Sequence, residues 1–155
     1  MEEIRYTGIT VLLVRRLSIS AIALPRKLLA YWLPLLSYAG LIFYFSSLPL
    51  KELEPLLPPV LEELGDKVAH GMEYAVLGVL WYRALRLAGG PWAAARALPL
   101  AIIFSAGYGL SDEFHQAFVP TREMDWFDVA ADIVGASLGA WLWHAKVASG
   151  WPHQA

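Results

Sequence analysis

Four apolar stretches divide the chain, at 28–48, 67–88, 92–113 and 127–147. Each is long enough to cross hydrocarbon at about 1.5 Å per residue. Arg26-Lys27 lead into the first, Pro34 falls near its start, and Ser46-Ser47 with Pro49 close it. Arg83 and Arg86 mark the far end of the second, where long cationic side chains reach back to water. Gly89-Gly90-Pro91 predicts a tight turn into the third, which carries Arg96 near its beginning. In the fourth, Gly135 and Gly139 stand four apart beside Ala136 and Ala140, a small-residue face that lets helices approach closely.

The remaining segments read differently. Apolar runs at 8–14 and 18–24 are split by Arg15-Arg16, and neither reaches the length of a span. The pattern predicts an amphipathic helix over 1–27 lying on the membrane surface. Residues 49–65 are rich in Leu, Pro and Glu and predict an interfacial loop, and 149–155 predict a short tail. The expected fold is therefore all-α, a bundle of four transmembrane helices over 28–148 with an N-terminal interfacial helix.

Basic residues gather before the first span, around the second turn and after the fourth span, while the loops at 49–66 and 113–127 are acid-rich. The positive-inside rule then places both termini in the cytoplasm, with four crossings. One consequence is that the polar residues at 66–74 and those at 112–132 meet at the same, outer face.

Composition agrees with a membrane protein: 57% of residues are hydrophobic against 17% charged, with a mean hydropathy of +0.47. Seven Trp and seven Tyr suit two interfacial belts. A net charge of −2 leaves no electrostatic footprint for nucleic acid, and the absence of cysteine excludes disulfides and thiolate metal sites.

Against this background the polar residues stand out, because charge inside a membrane segment is costly and marks function by default. Asp66, His70 and Glu73 fall at i, i+4 and i+7 on one helix face, flanked by Lys67 and Tyr74. Asp112, Glu113, His115 and Gln116 close the third span. Asp125, Asp128 and Asp132 open the fourth, where a helix dipole favours carboxylates. Arg122 lies between, suited to fork onto an anion or onto one of the Asp side chains. Three uses are open. His70 or His115 can serve as general acid or base with Glu73, Asp112, Glu113 and Asp128 as partners. The histidines and carboxylates can hold a divalent metal, although no spacing matches a specific metal signature. Or the set is a structural clamp of buried ion pairs, though ten polar residues exceed what a clamp requires.

Asp66-Lys67-x-x-His70 with Tyr74 and Leu77-Gly78, then Ser111-Asp112-Glu113-x-His115-Gln116-x-Phe118-Val119-Pro120-x-Arg122, then Asp128-Val129 and Gly135, resemble the VanZ-like family of small bacterial membrane proteins. Two positions depart from that pattern, with Thr121 in place of the usual Gly and Asp132 in place of the usual Asn. The resemblance implies a polytopic protein of the cell envelope, linked to susceptibility to teicoplanin-type glycopeptides, and supplies no settled activity. On residues and resemblance together, the expectation is a hydrolase or transferase acting on a lipid-linked or amphiphilic substrate, with Asp66, Lys67, Tyr74, Gln116, Arg122 and Asp132 binding it. The alternative is a non-catalytic protein that binds a lipid, cell-wall precursor or glycopeptide in the same cleft.

Overall fold

The computed structural model describes residues 26–49 and 65–150; within the second range the side chain of Asp66 is outside the description. The predicted surface helix over 1–27, the interfacial loop at 49–65 and the tail therefore fall almost wholly outside the described residues.

Among the described residues all regular structure is helical, in five helices: α1 (Leu28–Ser46), α2 (Asp66–Ala88), α3 (Gly90–Ala95), α4 (Ala97–Gln116) and α5 (Trp126–Ala148). The first five residues of α1, Leu28–Trp32, form a wide π-helical turn. Pro34 follows directly, and its ring crowds the carbonyl four residues back while donating no hydrogen bond. A widened turn relieves that conflict.

The expected third span, 92–113, is corrected to two helices. Chain reversal takes place at Gly89-Gly90, where Gly90 has φ +79°, and the six residues of α3 end at Arg96. Pro99 then lies in the first turn of α4, the one place in a helix where a missing N–H is harmless.

α2 and α5 form the most extensive pairing, and they run parallel. Gly135 lies against the backbone of Gly71, Gly139 against that of Ala75, and Gly78 against that of Ala136, so that a Cβ at any of the three glycines would collide with main chain. The small-residue face expected on α5 thus serves packing. α4 lies along both, antiparallel, and buries Ala97, Ala101, Ser105, Gly109, Asp112, Glu113 and Gln116, a stripe at helical spacing. α1 is joined to this trio by Leu35 and Ile42, which pack with Tyr74, Leu77, Ala84 and Ala136. Neutral hydrogen bonds add to it: Tyr38 Oη donates to the Glu73 carbonyl at 3.2 Å and Tyr108 Oη to the Ala39 carbonyl at 2.6 Å.

By length and composition, one described helix, Leu28–Ser46, is apolar enough to cross a membrane. α2, α4 and α5 have 23, 20 and 23 residues, enough length, but their acids and bases dilute the apolar character. The same residues build the site described next.

Candidate functional site

The N-terminal ends of α2 and α5 and the C-terminal end of α4 meet at one end of the bundle, so residues more than forty apart in sequence share a single polar cluster. Asp125 caps α5, its Oδ1 accepting from the Phe127 amide at 2.8 Å. Its Oδ2 lies 2.5 Å from Lys67 Nζ, which also lies 2.5 Å from Asp128 Oδ1. That ammonium holds the Asp125 carboxyl below the usual carboxylate range. One turn deeper, Asp132 Oδ1 accepts from His70 Nδ1 at 3.1 Å. Exposure falls along this line, from 46% for the Lys67 side chain and 38% for Asp125 to 12% for His70 and none for Asp132. The cluster is therefore a funnel of polarity, graded from a wet mouth to a dry floor.

α4 supplies the opposite wall. Glu113 is fully buried, with Oε2 accepting from the Asp125 amide at 2.9 Å and Oε1 lacking a hydrogen-bond partner. Single ligand-type atoms of His70, Glu113 and Asp128 lie within 4.8 Å of one another. Gln116 Nε2 donates to Asp112 Oδ2 at 3.0 Å. Glu73 and Asp112 lie within electrostatic reach of His70 and of one another. At the floor, the Asp132 Oδ2 and Tyr74 hydroxyl oxygens are buried without a hydrogen-bond partner among the described residues.

The sequence-predicted residues thus divide. Lys67, His70, Glu73, Tyr74, Asp112, Glu113, Gln116, Asp128 and Asp132 converge. Asp66 opens α2, but its side chain is not described. His115 lies at the edge of the cluster: it is within electrostatic reach of Asp112, while its ring packs on Phe43 of α1 at 4.7 Å and it is not part of the His70–Glu113–Asp128 group. Arg122, expected to grip an anion or an Asp, donates to the carbonyls of Leu48 at 2.9 Å and Phe45 at 3.3 Å and to Gln116 Oε1 at 3.2 Å. It satisfies carbonyls left open at the end of α1 and ties that helix to α4.

Gly109 escaped the sequence reading, and the conformation of Thr121 sharpens it. Gly109 lies against Asp132 Oδ2 and the Tyr74 ring, and a Cβ there would come within 2.7 Å of that oxygen. It makes the space that lets the deepest acid in. A glycine one turn before the Asp112-Glu113 pair was the available signal. Thr121 holds φ +69°, a left-handed conformation that a β-branched residue adopts under strain. It is also the position where the resemblance expects Gly, the residue that adopts this conformation without strain.

An uncharacterized protein of Schizosaccharomyces pombe is 28% identical over 121 residues, covering 77% of this chain and 64% of the relative, so the chain spans less than two thirds of that protein. No solved structure matches. The sequence profile of the VanZ/LLP1 family matches residues 28–147, which hold all four long helices and every residue of the funnel. The chain belongs to the VanZ/LLP1 family.

Proposed function

We propose that the chain is a four-span envelope membrane protein whose funnel activates water or a substrate hydroxyl for hydrolysis or group transfer on a lipid-linked or amphiphilic substrate. The observation that carries this reading is the imidazole of His70, held by the fully buried Asp132 and surrounded by Glu73, Asp112, Glu113 and Asp128. A histidine oriented by a buried carboxylate is the usual arrangement for moving a proton. One member of this set takes the proton from the attacking oxygen, and another returns it to the leaving group.

The distribution of polarity supports a membrane setting. Asp112, Glu113, Asp128 and Asp132 are buried, while Leu36, Phe43, Ile103, Val134, Leu138 and Leu142 are exposed on the outside of the helices. That inverts the pattern of a protein in water. The opposite end of the bundle gathers the cations: Arg83 lies over the rings of Tyr31 and Trp143, and Lys146 over Trp143. By the positive-inside rule this end faces the cytoplasm and the funnel opens outward. Phe114, Phe118, Trp126 and Phe127, each at least 62% exposed, ring the funnel end, a suitable rest for the apolar part of an amphiphile beside a charged mouth.

The test is comparative mass spectrometry of envelope lipids and lipid-linked precursors, together with teicoplanin susceptibility, in cells expressing the wild type or His70→Ala at equal levels. An amphiphile consumed only by the wild type is the expected result. The exposed aromatic rim beside the charged mouth also suits, as a second reading, a binding protein without turnover. In that case susceptibility changes while every lipid pool stays the same.

A further inference from the structure

We infer that His70, Glu113 and Asp128 form a site for one divalent first-row transition-metal ion of the zinc or manganese class. One imidazole and two carboxylates suit such an ion, which takes mixed nitrogen and oxygen donors. Ligands at about 2.0–2.2 Å from one centre stand at most ~4.4 Å apart. Candidate donor atoms of the three residues already lie within 4.8 Å of one another, so a small rotamer adjustment closes the shell.

Two observations independent of that spacing point to a cation. The first is Glu113. It is fully buried, and the one hydrogen bond described for its side chain, from the Asp125 amide, goes to Oε2, leaving Oε1 without a partner. A carboxylate oxygen dehydrated in this way carries a desolvation cost that a bound cation offsets. The second is the bond between His70 and Asp132. A carboxylate on Nδ1 orients the ring and makes it more basic, and in the tautomer that donates Nδ1–H the lone pair is on Nε2. That outer-shell pairing recurs at metal-bound histidines.

The charge balance agrees. Lys67, the cation now 2.5 Å from Asp128, is 46% exposed on a flexible stem and has Asp125 as a second anchor. It can keep its contact with Asp125 while Asp128 turns to the ion. The site stands on geometry and holds whether or not the amphiphile chemistry proposed above is right. Where both hold, an ion held by His70, Glu113 and Asp128 would lower the pKa of a bound water, and Glu73, one turn along α2 and within electrostatic reach of His70, would take the proton in place of the imidazole.

The experiment uses full-length protein in detergent, stripped with chelator and then titrated separately with Zn²⁺ and Mn²⁺. Wild type and His144→Ala are expected to bind one ion per chain. Glu113→Gln and His70→Ala lose affinity by well over tenfold, and Asp132→Asn by about 10–100-fold through the loosened imidazole. Circular dichroism identifies any variant that has failed to fold. A further measurement needs no variant: pulsed electron paramagnetic resonance of Mn²⁺ bound to the wild type should show one directly coordinated imidazole nitrogen. Absence of stoichiometric binding of both ions, full affinity in folded Glu113→Gln, or bound Mn²⁺ without nitrogen coupling overturns the site.

Discussion

α2 and α5 are bridged by histidine twice. His70 meets Asp132 at 3.1 Å, and Tyr82 meets His144 at 2.9 Å; each pair is 62 residues apart in sequence. The equal offset means that the two helices run parallel and in register, with the rungs about 18 Å apart along the axis. Chemically they have little in common. The first joins an imidazole to a fully buried carboxylate among other acids. The second joins a phenol to an exposed histidine, beside a groove lined by Arg86, Leu98, Pro99 and Val147. The same offset between helices therefore carries a buried cluster of acids around an imidazole at one end and an ordinary crosslink at the other. What separates them is burial and the neighbouring charge.

The largest break in this comparison comes from sidedness. The chain contains no cysteine, so single cysteines at Thr121 and Ser149 report the two ends without background. In intact cells a membrane-impermeant maleimide is expected to label the first and spare the second. Labelling of both, or of Ser149 alone, removes the outward-facing funnel. Next in size is Gly135→Leu, which falls between the rungs where the Gly71 backbone leaves no space. Overpacking there is expected to cost about 3 kcal/mol or more and to part both rungs together, read as lost thermal transition and yield in detergent. The smallest effects sharpen the contrast. His144→Ala removes one hydrogen bond worth about 1 kcal/mol and leaves the lipid profile as in the wild type. His70→Ala strands a buried acid at about 1–3 kcal/mol and abolishes the amphiphile change. Equal phenotypes from the two variants would erase the distinction between the ends.

Much of this was legible in the chain. Apolar runs located the four long helices to within a few residues, and the alternation of basic and acidic loops brought the polar groups at 67–74 and 112–132 to one end. One run was misread for an identifiable reason, and one residue sits further out than its spacing suggests. The third run was taken as continuous from 92, although Pro99 would then sit in a helix interior; the chain restarts at Ala97 and puts that proline in a first turn. His115 was grouped with Asp112 because three residues separate them. At about 100° per residue, however, His115 lies roughly 105° from the mean direction of Asp112, Glu113 and Gln116, which places it toward α1. Its packing on Phe43 was beyond reach of the sequence, since nothing in the local pattern says which helix lies beside α4 at that point.

The way α1 is fastened has a consequence for how its sequence can drift. Tyr38, Tyr108 and Arg122 hold it through the carbonyls of Glu73, Ala39, Phe45 and Leu48. Every amino acid brings the same carbonyl, so the accepting positions can be exchanged without untying the helix. Three donors, with the packed side chains of Leu35 and Ile42, carry the vulnerability, and the exposed positions of α1 are left free to change.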